Sequence, residues 1–93
     1  MKRMPNQGVT RTVRITLFAT AREAVGRSEI LLPIPPRGSS VGGILAGLGR
    51  DFPSLALVLP SCRFAKNGQY VRGVSTRLAA GDELAVHPPY SGG

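Results

Sequence analysis

Apolar and polar residues alternate with a period of two from Thr12 to Phe18 (TVRITLF), which puts Val13, Ile15 and Leu17 on one side of a half-buried strand. Thr20-x-x-Glu23 has the spacing of a capping box ahead of a short helix, and Gly26 suits the left-handed position that stops it. SEILLPI (28–34) predicts a second strand, antiparallel to the first, with Pro33 at its end or on an edge. Pro35-Pro36-Arg37-Gly38 is a turn, and Ser39 or Ser40 suits a helix N-cap. Val41, Ile44, Leu45 and Leu48 then recur at helical spacing, so 41–50 reads as an amphipathic helix. Its glycines at 42, 43, 47 and 49 each cost up to about 1 kcal/mol against alanine, so packing must hold this helix. Gly43-x-x-x-Gly47 lies in a segment too short to cross a membrane, and close approach to a sheet accounts for the small residues.

Pro53 ends the helical zone, and 54–61 reads as a connector. Arg63–Lys66 and Gln69–Val71 flank Asn67-Gly68, the strongest short hairpin signal a sequence offers. A loop from Arg72 to Asp82, turning at Gly81-Asp82, leads to a last strand over Glu83–Val86, and Pro88-Pro89 ends its pairing. The predicted fold class is α+β: a mixed sheet with one main helix packed across it, the first and last strands being central parallel neighbours joined through that helix. In outline this is a β-grasp (ubiquitin-like) arrangement. The expected organisation is a flexible N-terminal tail over 1–11, one β-grasp domain over 12–87 and an extended Gly-Gly tail over 88–93, with no repeat and no second domain.

Composition narrows the function classes. No run of apolar residues is long enough to span a membrane, and the basic start (MKRMPNQGVTR) is not followed by the apolar stretch of a secretory signal. Cys62 is alone, which leaves neither a disulfide framework nor a cysteine metal site and points to the cytoplasm. The formal net charge is +7, yet the ten arginines are spread almost evenly from Arg3 to Arg77, and the aromatics do not interleave with them. That describes a solvated basic surface rather than a nucleic-acid stripe. His87 is the only histidine, so no Ser-His-Asp triad can bypass it, and at the end of a strand it reads as a packed or surface residue. Arg63 beside Cys62 could lower a thiol pKa, but a buried, inert cysteine is the stronger reading. Asp82-Glu83 points its carboxylates apart and reads as turn and edge. No metal site is expected.

The chemistry-bearing feature is the end of the chain, HPPYSGG. Pro88 and Pro89 cannot continue a sheet, so they project the backbone outward, and Gly92 and Gly93 carry no side chain to keep them from a narrow slot in another protein. Pro88 to Gly93 spans about 20 Å when extended. The α-carboxylate of Gly93 is a poor electrophile at neutral pH and needs activation, for example as an acyl-adenylate, before another atom is attached.

GDELAVHPPYSGG, behind a β-grasp pattern, resembles the small subunits of molybdopterin synthase, a family of ubiquitin-like sulfur carriers. The likeness runs over about residues 12–93. VRITLFATAREAVG resembles that family's opening strand and short helix, RDFPSL its helix exit and KNGQYV its central hairpin. Gly81-Asp82-Glu83, Pro88-Pro89 and Ser91-Gly92-Gly93 are the most specific part. Tyr90 stands where the family commonly has a small aliphatic residue, and Lys66 where an aliphatic one precedes Asn67.

The resemblance implies a sulfur-donor subunit without catalytic side chains of its own, in molybdenum cofactor biosynthesis. An adenylating E1-like enzyme would use ATP on the Gly93 carboxylate, and a sulfur-transfer enzyme would supply the sulfur that leaves a thiocarboxylate. The tail, Pro88, Pro89, Tyr90, Ser91 and Gly92, would then enter the large catalytic subunit of the synthase, where Gly93 gives its sulfur to a pterin precursor. No cofactor would be bound by this chain. The same tail suits a sulfur carrier for thiamine synthesis or tRNA thiolation, and a ubiquitin-like protein modifier.

Overall fold

In the computed structural model, residues 11–89 are described; residues 1–10 and 90–93 lie outside the described residues. In chain order the elements are β1 (Thr12–Leu17), α1 (Ala19–Val25), β2 (Glu29–Pro33), β3 (Ser39–Ser40), α2 (Val41–Asp51), α3 (Pro53–Ala56), a 3-10 turn at Leu59–Ser61, β4 (Arg63–Lys66), β5 (Gln69–Tyr70), β6 (Arg77–Leu78) and β7 (Glu83–His87). The alternation in β1 does what its pattern dictates: Val13, Ile15 and Leu17 are buried, while Arg14 is exposed. β1 pairs antiparallel with β2, setting Ile15 opposite Ile30, and parallel with β7, setting Ile15 opposite Leu84 and Leu17 opposite Val86. The main sheet therefore runs β2-β1-β7-β4-β5, with the first and last strands adjacent and parallel at its centre. This is the β-grasp arrangement.

α2 packs Val41, Ile44 and Leu48 into the core with Leu55 of α3, Leu59, Leu78 and the inward residues of β1, β2 and β7. Ser40 caps it, its hydroxyl accepting from the Gly43 amide at 3.0 Å. Gly26 takes the left-handed C-cap of α1, with φ 85° and its amide donating to the Arg22 carbonyl at 2.7 Å. Asn67 and Gly68, with φ 49° and 87°, turn the β4–β5 hairpin.

Four expectations need correction. Thr20 does not cap α1: the helix starts at Ala19 behind Phe18, which has an extended backbone and makes no side-chain cap. Pro53 opens α3 at its first position, where its missing N–H costs nothing, rather than ending helical structure. The 72–82 stretch contains β6, which pairs with β3 through Ser39↔Leu78 and Ser40↔Arg77. Of the α2 glycines, Gly43 approaches β3, where a Cβ would meet the Ser39 hydroxyl at 2.9 Å, whereas Gly42 and Gly49 make room for a loop and for α3, a Cβ on them meeting Val74 and Ala56 at 3.3 Å each. Arg11, placed with the tail by its sequence, lends its carbonyl to the Ile34 amide at 2.9 Å.

Candidate functional site at the root of the C-terminal tail

β7 is the central strand that delivers the tail. It is held at both ends. At its start, Asp82 accepts from the Ala79 amide at 2.7 Å and from the Asn67 side-chain amide at 3.0 Å, while Asn67 Oδ1 accepts from the Glu83 amide at 2.9 Å. Lys66 Nζ lies 3.9 Å from Asp82 and donates to the Arg77 carbonyl at 2.9 Å. The Ala79 amide first, then Asn67 and the Lys66 charge, hold the Asp82 carboxyl below its ordinary value, against a small opposing effect of burial. Asp82, in the turn, and Glu83, the first residue of β7, do part company: Glu83 accepts from the Thr16 hydroxyl at 2.6 Å. The hairpin turn and the Gly81-Asp82 turn are thereby clipped into one unit.

At its far end β7 finishes in a row of rings. Phe18 lies flat on His87, with centroids 4.6 Å apart and planes 7° apart. Tyr70 presents its ring edge-on to the same imidazole at 5.9 Å, and the Arg63 guanidinium sits 4.7 Å from the centre of the Tyr70 ring. These four residues come from the end of β1 and from β7, β5 and β4. Cross-strand register explains the convergence, because His87 faces Arg63 while Ala65 faces both Ala85 and Tyr70. Parity places them on the side of the sheet opposite Leu17, Leu84 and Val86. Behind the rings, Ala85 and Ala65 form a floor of small side chains; Phe18 and Tyr70 remain exposed. The result is an apolar, cation-edged platform on the helix-free face, of the sort that serves as an interaction surface.

Pro88, half-buried, and Pro89, exposed, follow directly. The other expected site residues, Tyr90, Ser91, Gly92 and Gly93, lie outside the described residues. His87 packs against the Phe18 and Tyr70 rings, as expected of a packed residue at the end of a strand. Cys62 Sγ donates to the Val58 carbonyl at 3.3 Å, and burial pushes its thiol above the ordinary value, which overrides any lowering by Arg63. No cluster of three metal-ligating side chains occurs among the described residues. The sequence candidates were confined to the tail and did not include Phe18, Tyr70 and Arg63. Their alternation within each strand was visible, but only the register between strands shows that they meet.

Residues 15–93 match the ThiS family. The chain belongs to that family. It is 35% identical over 82 residues to the molybdopterin synthase sulfur carrier subunit of Chlamydomonas reinhardtii, covering 87% of this chain and 98% of the relative. It is 32% identical over 91 residues to small archaeal modifier protein 3 of Haloferax volcanii, covering 87% and 98%. Among solved structures, SAMP1 from Haloferax volcanii superposes with a TM-score of 0.77 at 29% identity over 88% of this chain and 99% of that one. Subunits 1 and 2 of molybdopterin-converting factor from Helicobacter pylori form a protein–protein complex. A chain of that complex superposes on this ThiS-family chain with a TM-score of 0.66 at 18% identity over 88% and 99%, a likeness of fold.

Proposed function

We propose that this ThiS-family chain is the sulfur carrier subunit of a molybdopterin synthase, working in the cytoplasm with a large catalytic subunit as its partner. The observation that carries the reading is similarity across 98% of the length of a curated carrier subunit, on a fold whose central strand leads straight into Pro88-Pro89. In this reading an adenylating partner transfers AMP from ATP to the Gly93 carboxylate, releasing pyrophosphate. Sulfur delivered at the sulfide level by a sulfur-transfer enzyme bonds to the acyl carbon, AMP leaves with the electron pair of the carbon–oxygen bond, and a thiocarboxylate remains. Its sulfur is softer and more nucleophilic than the oxygen it replaces, and the glycine pair lets it enter a slot in the large subunit, where it passes to a pterin precursor. This chain supplies the handle and the platform of Phe18, His87, Tyr70 and Arg63 against which partners register; catalytic side chains belong to the partners.

The test is intact mass measurement of the chain after incubation with ATP, the adenylating enzyme and a sulfur source. The expected product has one oxygen replaced by sulfur at the C-terminus; an unchanged mass overturns the reading. The likeness to an archaeal modifier protein supports a second reading, attachment of Gly93 to lysines of other proteins. A ladder of conjugates on immunoblots of cell extract would support it.

A further inference from the structure

Around the start of the tail, among the described residues, each amine or thiol that could capture an acyl carbon is absent or turned away. The cation opposite His87 is Arg63, whose guanidinium offers no free amine; it lies over the Tyr70 ring. Cys62, the residue before it, has its thiol directed at the Val58 carbonyl and raised in pKa by burial, so little thiolate forms. Lys66 is the sole lysine among the described residues. It has the opposite parity to Arg63 on β4, and its ammonium is held by the Arg77 carbonyl and near the Asp82 carboxylate, at the end of β7 remote from the tail. His87 stacks on Phe18 and has Tyr70 beside it, and an imidazole is neither an amine nor a thiol: an acyl-imidazole formed on it would hydrolyse rather than leave a stable isopeptide. Four residues beyond Pro89, Gly93 has a covalent reach of at most about 14 Å, so a lysine on the β4 row beside His87 would fall within its radius.

We propose that the tail root is kept free of competent amine and thiol nucleophiles, with Arg63 as its determining residue, so that an activated Gly93 acyl group is not captured by its own chain. The inference rests on the proposed function, which supplies an acyl-adenylate. In the reaction avoided, a lysine nitrogen bonds to the Gly93 acyl carbon and the carbon–oxygen bond to the phosphate breaks. AMP leaves with the electron pair, and the ammonium proton passes to water. The product is an internal isopeptide that ends the carrier's use. Arginine at position 63 keeps the positive charge and the contact with Tyr70 while withholding the amine.

The test uses the full chain bearing a C-terminal thioester, made by thiolysis of an intein fusion, in neutral buffer without ATP or partners. Wild type is expected to decay only to the Gly93 carboxylate. Arg63→Lys, verified as folded by circular dichroism and melting, is expected to give a product one water lighter. Peptide mapping should place its crosslink at position 63, with a yield about tenfold or more above the wild-type background, as a tethered amine acts at millimolar effective concentration. Tyr70→Lys, exposed on the same face as Arg63, serves as a second variant and should crosslink at position 70, whereas Asp82→Ala leaves Lys66 on the other face and should only hydrolyse. Hydrolysis alone in both folded lysine variants overturns the proposal, as does an isopeptide between Gly93 and any amine of the wild-type chain. The thioester needs no adenylation, so these outcomes leave the proposed function standing, whereas an unchanged mass with ATP and sulfur donor would remove that function and not the nucleophile pattern.

Discussion

Phe18 lies face to face with His87, ring centroids 4.6 Å apart, and so joins the residue that leaves β1 to the last residue of the strand that carries the tail. Phe18 is 41% exposed, too open to serve the core alone. Loss of its ring should cost the isolated fold about 1 kcal/mol. At the centre of a desolvated interface the same ring is worth more. Phe18→Ala is therefore expected to weaken binding to the large subunit about tenfold or more, as measured by titration calorimetry, with only a small fall in melting temperature. Unchanged affinity would remove the platform from the docking surface.

Gly38 and Gly68 both have positive φ, 82° and 87°, but their surroundings differ. A Cβ on Gly38 would come within 2.5 Å of the Leu78 carbonyl oxygen, whereas one on Gly68 meets nothing within 4 Å. Alanine pays the left-handed penalty of about 1–2 kcal/mol at either site. At Gly38 it must also force β6 away from β3. Thermal melts should rank Gly38→Ala clearly below Gly68→Ala, and an equal loss would show that the β3–β6 pair yields freely.

The main elements were legible because each carries a period: two in β1, the 3, 4, 7 spacing in α2, and Asn-Gly between β4 and β5. β3 and β6 were not, since two residues hold no period and their pairing depends on contacts from afar, such as the Gly42 amide on the Val74 carbonyl at 2.8 Å. The start of α1 misled because Thr20 and Glu23 have the right spacing in the wrong place. The Phe18 amide reaches the Val86 carbonyl at 3.3 Å and its ring covers His87, so tertiary contacts fix the residue after which the helix begins. Ala19 accepts a φ of 50° in consequence. The tail drew attention through its residue types, and its proposed chemistry came from the family resemblance, while the platform beside it depends on register, which no single strand reveals.

The Asp82 carboxyl titrates below its ordinary 3.8 because the Ala79 amide and Asn67 favour the charged form. A group with a folded pKa lowered in this way adds stability above its unfolded value and loses it as pH falls through the folded one. Asp82→Ala is expected to lower stability by about 1 kcal/mol at neutral pH. The gap between wild type and variant, followed by urea melts, should stay constant from about pH 5 to 8 and narrow in more acid solution. A gap that widens on acidification would contradict the assigned hydrogen bonds.

Among the described residues the buried core ends at Val86, in β7, before the proline stem begins. Removing Gly92 and Gly93 therefore takes away no core side chain, and their own side chains contribute no apolar area. The truncated chain should melt within about 2 °C of wild type, a change worth less than about 0.5 kcal/mol for a domain of this size. It should nonetheless yield no thiocarboxylate and support no cofactor synthesis. Adding one alanine after Gly93 separates the two roles further: the fold and the platform are untouched, so binding to the large subunit should persist while sulfur transfer stops. A chain extended in this way that still supported cofactor synthesis, without being trimmed back to Gly93, would mean that the reacting carbon is not the Gly93 carbonyl.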